Sequence, residues 1–176
     1  MSLINFTELE ASGLKMPSHP LGRSVVHHWL KIDRMNALYE SHLQGLEGAA
    51  FVEALLSQLE IRVEVSDDDL RHLPEKGPFI VVSNHPFGFL DGVVMMHLMR
   101  RHPDFKVMAN FFLGEFAPIG DRFIAVNPFS GQHPMNVQGM RRALAHVEAG
   151  GALGIFVFFA NASSISIFNG AGEHQQ

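Results

Sequence analysis

The spacing of apolar residues divides the chain into a helical first part and an α/β second part. From Arg23 onward, apolar residues recur every three to four positions, which predicts an amphipathic helix. The residues of this stripe are Val25, Trp29, Ile32, Leu38, Leu43 and Leu46. A second helix is predicted over Gly48–Leu59. Because Pro17 and Pro20 interrupt any earlier period, we expect residues 1–22 to form an irregular lead-in.

After these helices, the apolar residues recur at every second position. Apolar and charged residues alternate over Ile61–Val65, which predicts a half-buried edge strand. Ser66 then precedes three aspartates, an arrangement typical of a helix N-terminus, where acidic groups face the positive end of the helix.

Beyond residue 78, short unbroken apolar runs alternate with helical patterns, which is typical of parallel strands buried on both faces. The predicted strands are Phe79–Ser83, Lys106–Asn110, Arg122–Val126 and Ala152–Phe158. The predicted helices are the methionine-rich Asp91–Arg101, Asn136–Ala149 and a shorter one within Phe111–Pro118. The sequence therefore predicts an α/β fold with a mostly parallel sheet and flanking helices, preceded by an α-helical lead-in.

Composition narrows the classes of function. The 176 residues suit one domain, 47% of them are hydrophobic, and no cysteine is present, which excludes disulfide scaffolds, thiolate zinc sites and cysteine nucleophiles. A net charge of −5 argues against nucleic acid as the main partner. No histidine pair has the spacing of a zinc site with a glutamate partner, so we expect no metal. Without a signal-like apolar run near residue 1, we expect a cytoplasmic location.

Candidate chemistry concentrates in the segment Ser83–Gly92, between a predicted buried strand and a predicted helix. Sites in open α/β sheets lie at the carboxyl ends of strands. At that place Asp91 can orient the imidazole of His85, which then acts as a general base towards an alcohol. The alternative is that His85 caps a turn and Asp91 is an ordinary helix N-cap. The stiffness of Pro86 and the freedom of Gly88 favour the catalytic interpretation, because they hold the imidazole in a defined position.

This segment resembles the phospholipid and glycerol acyltransferases that use a His–Asp motif. The resemblance is to their bacterial hemolysin-like branch, which includes acyltransferases of lyso-ornithine lipid and has the form Asn-His-Pro-x-Gly-Gly-x-Asp-Gly. Five residues separate His85 from Asp91, as in that branch, and Phe89 replaces its second glycine. Further similar blocks are Gly77–Val82, Val107–Asn110, Phe123–Phe129 and Gly150–Phe156.

The resemblance implies transfer of a fatty acyl group to the hydroxyl of a lysophospholipid or lyso-amino-acid lipid. The donor would be a thioester of acyl carrier protein or coenzyme A, with no further cofactor, and the enzyme would be peripheral to the inner membrane. His85 and Asp91 would be catalytic. The residues expected to bind substrate are Asn84, Pro86, Phe87, Gly88, Arg122 and Asn127.

Two departures from the family pattern qualify this expectation. Pro128 stands near the position of a phosphate-binding arginine, which disfavours a glycerol-phosphate acceptor and leaves an amino-acid lipid open. After Phe156 the family continues with Pro, a small residue, Gly and Glu, whereas this chain does not. We therefore expect an incomplete acyltransferase domain over 23–156 and a divergent, loose tail over 157–176, produced by a truncation or a frameshift.

Alternatives to catalysis remain open at this stage. One is a non-catalytic acyltransferase-like fragment that binds a lipid or a partner, and another is a His–Asp hydrolase that passes the acyl group to water. The basic pairs Arg100–Arg101 and Arg141–Arg142 suit either anionic lipid head groups or simple solvation. The methionines of the predicted Asp91–Arg101 helix are expected to pack in the core rather than to line a lipid groove.

Overall fold

The computed structural model describes residues 32–115, 117–127, 133–157, 165–169 and 174–175. Its centre is a six-stranded sheet in the order β3-β2-β4-β1-β5-β6. The strands are β1 (Phe79–Ser83), β2 (Lys106–Asn110), β3 (Phe123–Val126), β4 (Ala152–Phe156), β5 (Ile165–Asn169) and β6 (His174–Gln175). The first four are parallel to one another, while β5 runs antiparallel to β1 and β6 antiparallel to β5.

Helices cover both faces of this sheet. The α-helices are α1 (Ile32–Leu38), α2 (Gly48–Gln58), α3 (Asp67–Arg71), α4 (Phe89–Leu98) and α5 (Pro134–Glu148). A π-helical turn, Tyr39–Leu43, continues α1, and two 3-10 turns, Phe111–Glu115 and Gly120–Arg122, connect β2 to β3. None of the helices in the described ranges is long and apolar enough to span a bilayer.

The α/β fold class predicted from the sequence is confirmed. β1 and β2 have the predicted bounds, α5 begins two residues earlier than predicted, and β4 ends at Phe156 rather than Phe158. The side chain of Ser66 accepts a hydrogen bond from the Asp69 N–H (3.0 Å), which confirms the predicted helix start. The lead-in 1–22 and the first nine residues of the predicted amphipathic helix lie outside the described residues.

Two expectations about the sheet were wrong. The segment Ile61–Val65 is not a strand, although Ile61 and Val63 pack against the core. The alternation of apolar and charged residues here reflects burial of one side of an extended segment. A β-strand also needs a neighbouring strand to accept and donate its backbone hydrogen bonds. The second correction concerns the tail over 157–176, which was expected to be loose. Within it, strand β5 pairs with all five residues of β1.

The main core lies between the sheet and the two helices α2 and α4. Phe79, Val81 and Val107 contribute to it from the strands, and Phe51 and Met95 contribute from the helices. Met95, Met96 and Met99 are buried, which confirms that these methionines serve the core. Helix α4 approaches β4 closely because Gly154 has no side chain, and a Cβ there would lie 2.5 Å from the Met95 sulfur. A smaller core, with Ile124, Ala143 and Leu153, joins α5 to the opposite face.

Candidate active site

The loop that carries the His–Asp motif crosses the carboxyl end of β1. The strand ends at Ser83, and α4 begins six residues later at Phe89. Gly88 adopts φ 64° and ψ −127°, a conformation that residues with side chains rarely adopt. Its carbonyl accepts a hydrogen bond from the Asp91 N–H (3.0 Å). This turn places Asp91 in the first turn of α4, directly after the loop that contains His85.

His85 and Asp91 lie together at this edge of the sheet. The His85 Nδ1 is 3.2 Å from the Asp91 Oδ2, and the same oxygen accepts a hydrogen bond from the Phe87 N–H (2.8 Å). The side chains are 26% and 14% exposed, respectively. The carboxylate therefore fixes the loop and faces Nδ1, while Nε2 is the ring nitrogen on the other side of the imidazole.

A third side chain, that of Phe156, packs against the imidazole of His85. The ring of Phe156 stacks on that of His85, with centroids 4.2 Å apart and planes inclined by 30°. Phe156 is the last residue of β4 and pairs with Ser83 in the parallel register of β1 and β4. The Val157 N–H donates to the Ser83 carbonyl (2.8 Å), which extends this pairing under the loop. His85 is therefore positioned by a carboxylate and by an aromatic ring.

The other loop residues predicted to bind substrate surround this pair. Asn84 follows β1 directly, and its carbonyl accepts a hydrogen bond from the Ser83 hydroxyl (3.0 Å). Pro86 is exposed, and Phe87 projects an aromatic side chain that is 75% exposed. The structure thus brings Asn84, Pro86, Phe87 and Gly88 to His85, and their contact with substrate stays a prediction.

The structure does not bring Arg122 to His85. Arg122 directly precedes β3, so it lies at the amino edge of the parallel strands, whereas His85 follows the carboxyl end of β1. Its guanidinium donates to the Pro103 carbonyl, and its Nε lies 3.8 Å from the Asp121 carboxylate. Arg122 was expected to share a substrate-binding site with His85, and this expectation is corrected. A residue that precedes a parallel strand and a residue that follows one lie at opposite edges of the sheet.

Asn127 lies at the same edge of the sheet as His85 but after a distant strand. It follows β3, which is three strand spacings from β1, or about 14 Å at the usual separation. The side-chain amide of Asn136, in the first turn of α5, accepts a hydrogen bond from the Asn127 N–H (2.6 Å) and donates to the Asn127 carbonyl (3.0 Å). The Asn127 backbone therefore anchors the start of α5. Pro128 lies outside the described residues.

Sequence reasoning missed two groups of this site. The Phe87 N–H is one of them, since its role depends on a turn that brings it back to Asp91. The other is Phe156, which belongs to a similarity block but is 71 positions from His85 in the numbering. The sequence did predict a strand that contains Phe156. It could not show that this strand pairs with the one that ends at Ser83, because strand pairing is decided by the tertiary structure.

A cavity of about 640 Å³ lies elsewhere, at the amino edge. Its lining comes from α3, from the segment before β1 and from the end of α4 with the residues after it. Arg71, Arg100, Arg101 and His102 are among the lining residues, and His85 and Asp91 are not.

Two curated proteins named lyso-glycine lipid O-acyltransferase are similar to this chain. The protein from Bacteroides thetaiotaomicron is 35% identical over 85 residues, which cover 48% of this chain and 29% of that protein. The protein from Phocaeicola vulgatus is 33% identical over 79 residues, which cover 45% and 27%. The aligned region thus spans less than a third of either relative.

The family match extends further than these alignments. No solved structure shows significant similarity to this chain. Residues 25–167 match the sequence profile of a family described as Acyltransferase, and this match runs past Phe156, where the sequence analysis placed the end of the likeness. Because the match covers most of its length, the chain belongs to this acyltransferase family.

Proposed function

We propose that this chain is a lipid O-acyltransferase with His85 as general base and Asp91 as the group that orients it. The observation that carries the proposal is the approach of the two side chains to 3.2 Å at the carboxyl edge of the sheet. Membership of the acyltransferase family supports the reaction class. The names of the two relatives support a lyso-amino-acid lipid as acceptor in preference to a lysophospholipid.

The reaction follows from the orientation of the imidazole. The acceptor hydroxyl gives its proton to Nε2 of His85 while its oxygen attacks the carbonyl carbon of the acyl thioester. Asp91 stabilises the imidazolium that forms. The tetrahedral intermediate then collapses, the carbon–sulfur bond breaks, and the departing thiolate takes the proton from the imidazolium. The products are an ester and a free thiol, and no acyl-enzyme intermediate forms.

Substrates are assigned to the exposed side of the loop. The donor is a thioester of acyl carrier protein or coenzyme A, and this scheme uses no metal or further cofactor. Asn84, Pro86, Phe87 and Gly88 contact the lipid substrates, with the exposed Phe87 ring suited to an acyl chain. Arg122 and Asn127 lie farther from His85, so neither is assigned a contact with the reacting groups.

A transfer assay tests the proposal. The protein is incubated with an acyl thioester and with lyso-glycine lipid, lysophosphatidic acid or no acceptor, and ester and free fatty acid are both measured. We expect ester from the lyso-glycine lipid, and a loss of about 10²–10⁴-fold in His85→Ala with the fold intact by circular dichroism. Wild-type turnover in that variant would refute the proposed base.

A second candidate is a non-catalytic acyltransferase-like fragment that binds a lipid or a partner. The observation that favours it is the sequence after Phe156, which departs from the Pro-small-Gly-Glu turn of the family. It predicts binding of lyso-lipid without ester or free fatty acid. Free fatty acid without an acceptor would instead indicate hydrolysis.

A further inference from the structure

An exposed apolar stripe runs along α5. Val137, Met140 and Leu144 are 55%, 58% and 59% exposed, which is half of the large apolar side chains that stand exposed in the described part of the chain. Their spacing of three and four residues places them on one side of a helix. Gly139 and Ala143 are buried against the sheet, so the stripe faces away from that contact. Isolated exposed apolar residues are normal, whereas three on one helix side form a patch.

The charge on α5 differs from that of the rest of the chain. Arg141 is exposed and lies on the same side of the helix as the stripe, four positions after Val137, whereas the exposed Arg142 lies on the opposite side. The helix has no acidic residue before Glu148. The whole chain carries a net charge of −5. A helix side with apolar residues beside arginines is typical of helices that lie in the interface of an anionic membrane.

The place of α5 in the fold relates this stripe to the candidate active site. Asn136 ties the start of α5 to Asn127, directly after the carboxyl end of β3. The helix then runs back towards the amino end of β4. Its first half, with Val137 and Met140, therefore lies at the same edge of the sheet as His85.

We infer that the stripe formed by Val137, Met140 and Leu144, together with Arg141, binds the surface of an anionic lipid bilayer. This inference rests on the proposed function, because a lipid acceptor is delivered from such a surface. The apolar side chains enter the boundary between head groups and acyl chains, and the Arg141 guanidinium binds a head-group phosphate. The carboxyl edge with His85 is then held near the membrane.

Vesicle sedimentation tests this inference on the full chain. Wild type is expected to bind vesicles of phosphatidylglycerol and phosphatidylcholine, and to bind phosphatidylcholine alone much more weakly. The triple variant Val137→Ser, Met140→Ser, Leu144→Ser should lose roughly tenfold or more in affinity. The variant Arg141→Gln should lose about fivefold on the anionic vesicles, with a smaller effect at high salt.

A matched control uses exposed apolar residues that lie elsewhere. The variant Leu59→Ser, Val65→Ser removes two such residues from the segment around the end of α2 and should bind the vesicles as wild type does. Equal losses in this control and in the triple variant would overturn the inference, as would a wild type that ignores anionic vesicles. Melting temperatures confirm that all three variants are folded.

Two further measurements separate this inference from its rivals. If size-exclusion chromatography shows a wild-type dimer that the triple variant dissociates, with vesicle binding unchanged, the stripe is an interface between copies and the inference fails. Transfer to a detergent-dispersed lyso-lipid should be unchanged in the triple variant. Absence of transfer in wild type under the same conditions would refute the proposed function, while vesicle binding would still be judged by sedimentation.

Discussion

The two edges of the parallel sheet differ in what they offer a ligand. The amino edge has the 640 Å³ cavity and several arginines, whereas the carboxyl edge has an oriented histidine on an exposed loop. The cavity alone favours the amino edge as a site. The reactive groups, however, lie together at the carboxyl edge. Under the proposed function, the position of the chemistry follows from the direction of the strands rather than from the size of a cavity.

Helix direction explains part of this difference. Helix α4 begins at the carboxyl edge, with Asp91 in its first turn, and ends at the amino edge, where its last carbonyl groups need donors. The guanidinium of Arg100 donates to the His97 carbonyl (3.0 Å), and that of Arg122 donates to the Pro103 carbonyl. Two arginines of the amino edge, Arg100 and Arg122, thus donate hydrogen bonds to backbone carbonyl groups there.

The largest expected effect comes from breaking the oriented pair at the carboxyl edge. Asp91→Asn keeps the size of the side chain but cannot stabilise an imidazolium, so acyl transfer should fall by about a hundredfold or more. The matched variant at the amino edge, Asp121→Asn, removes an exposed carboxylate and should retain wild-type turnover. Steady-state kinetics on both variants checks the difference, and similar losses in the two would remove the distinction between the edges.

The next effect concerns stability. A Cβ at position 139 would lie 2.6 Å from the Ala125 carbonyl oxygen, a backbone atom of β3, so Gly139→Ala should lower the free energy of unfolding by about 1–3 kcal/mol. The comparison at the amino edge is Gly151→Ala, whose Cβ would meet the side-chain ring of His146 rather than a backbone atom. We expect a smaller loss there. Urea denaturation measures both, and an equal or greater loss in Gly151→Ala would contradict this account.

Removal of the aromatic support should have an intermediate effect on catalysis. Phe156→Leu retains an apolar side chain but loses the stacked ring under His85, so kcat should fall about tenfold, as expected for a less precisely held base. Phe156→Tyr keeps the ring and should restore most of the activity. If Leu and Tyr variants have the same kcat, the stacking does not position the imidazole.

The smallest effect is expected from the arginines of the amino edge. Arg101→Ala and Arg122→Gln should change kcat/KM by less than about twofold, because neither residue lies at the edge that holds His85. Losses of tenfold in either variant would show that a remote part of the substrate reaches the amino edge. That result would revise the division of roles between the two edges.

Much of the fold was predictable because the signals are local. The unbroken apolar runs at Phe79–Ser83 and Lys106–Asn110 gave strands with the observed bounds, and Ser66 gave a helix start. The alternation over Ile61–Val65 misled, since a strand is defined by a partner that no local pattern reveals. The pairing of β5 with β1 was missed for the same reason.

For the candidate site, the sequence by itself determined which residues can do chemistry: His85, Asp91 and the glycine between them that permits a tight turn. The tertiary structure alone decided that Phe156 lies under the imidazole and that Arg122 lies at the opposite edge. The physical reason is that a short loop limits the distance between His85 and Asp91, whereas residues on separate strands meet only through strand order, register and direction.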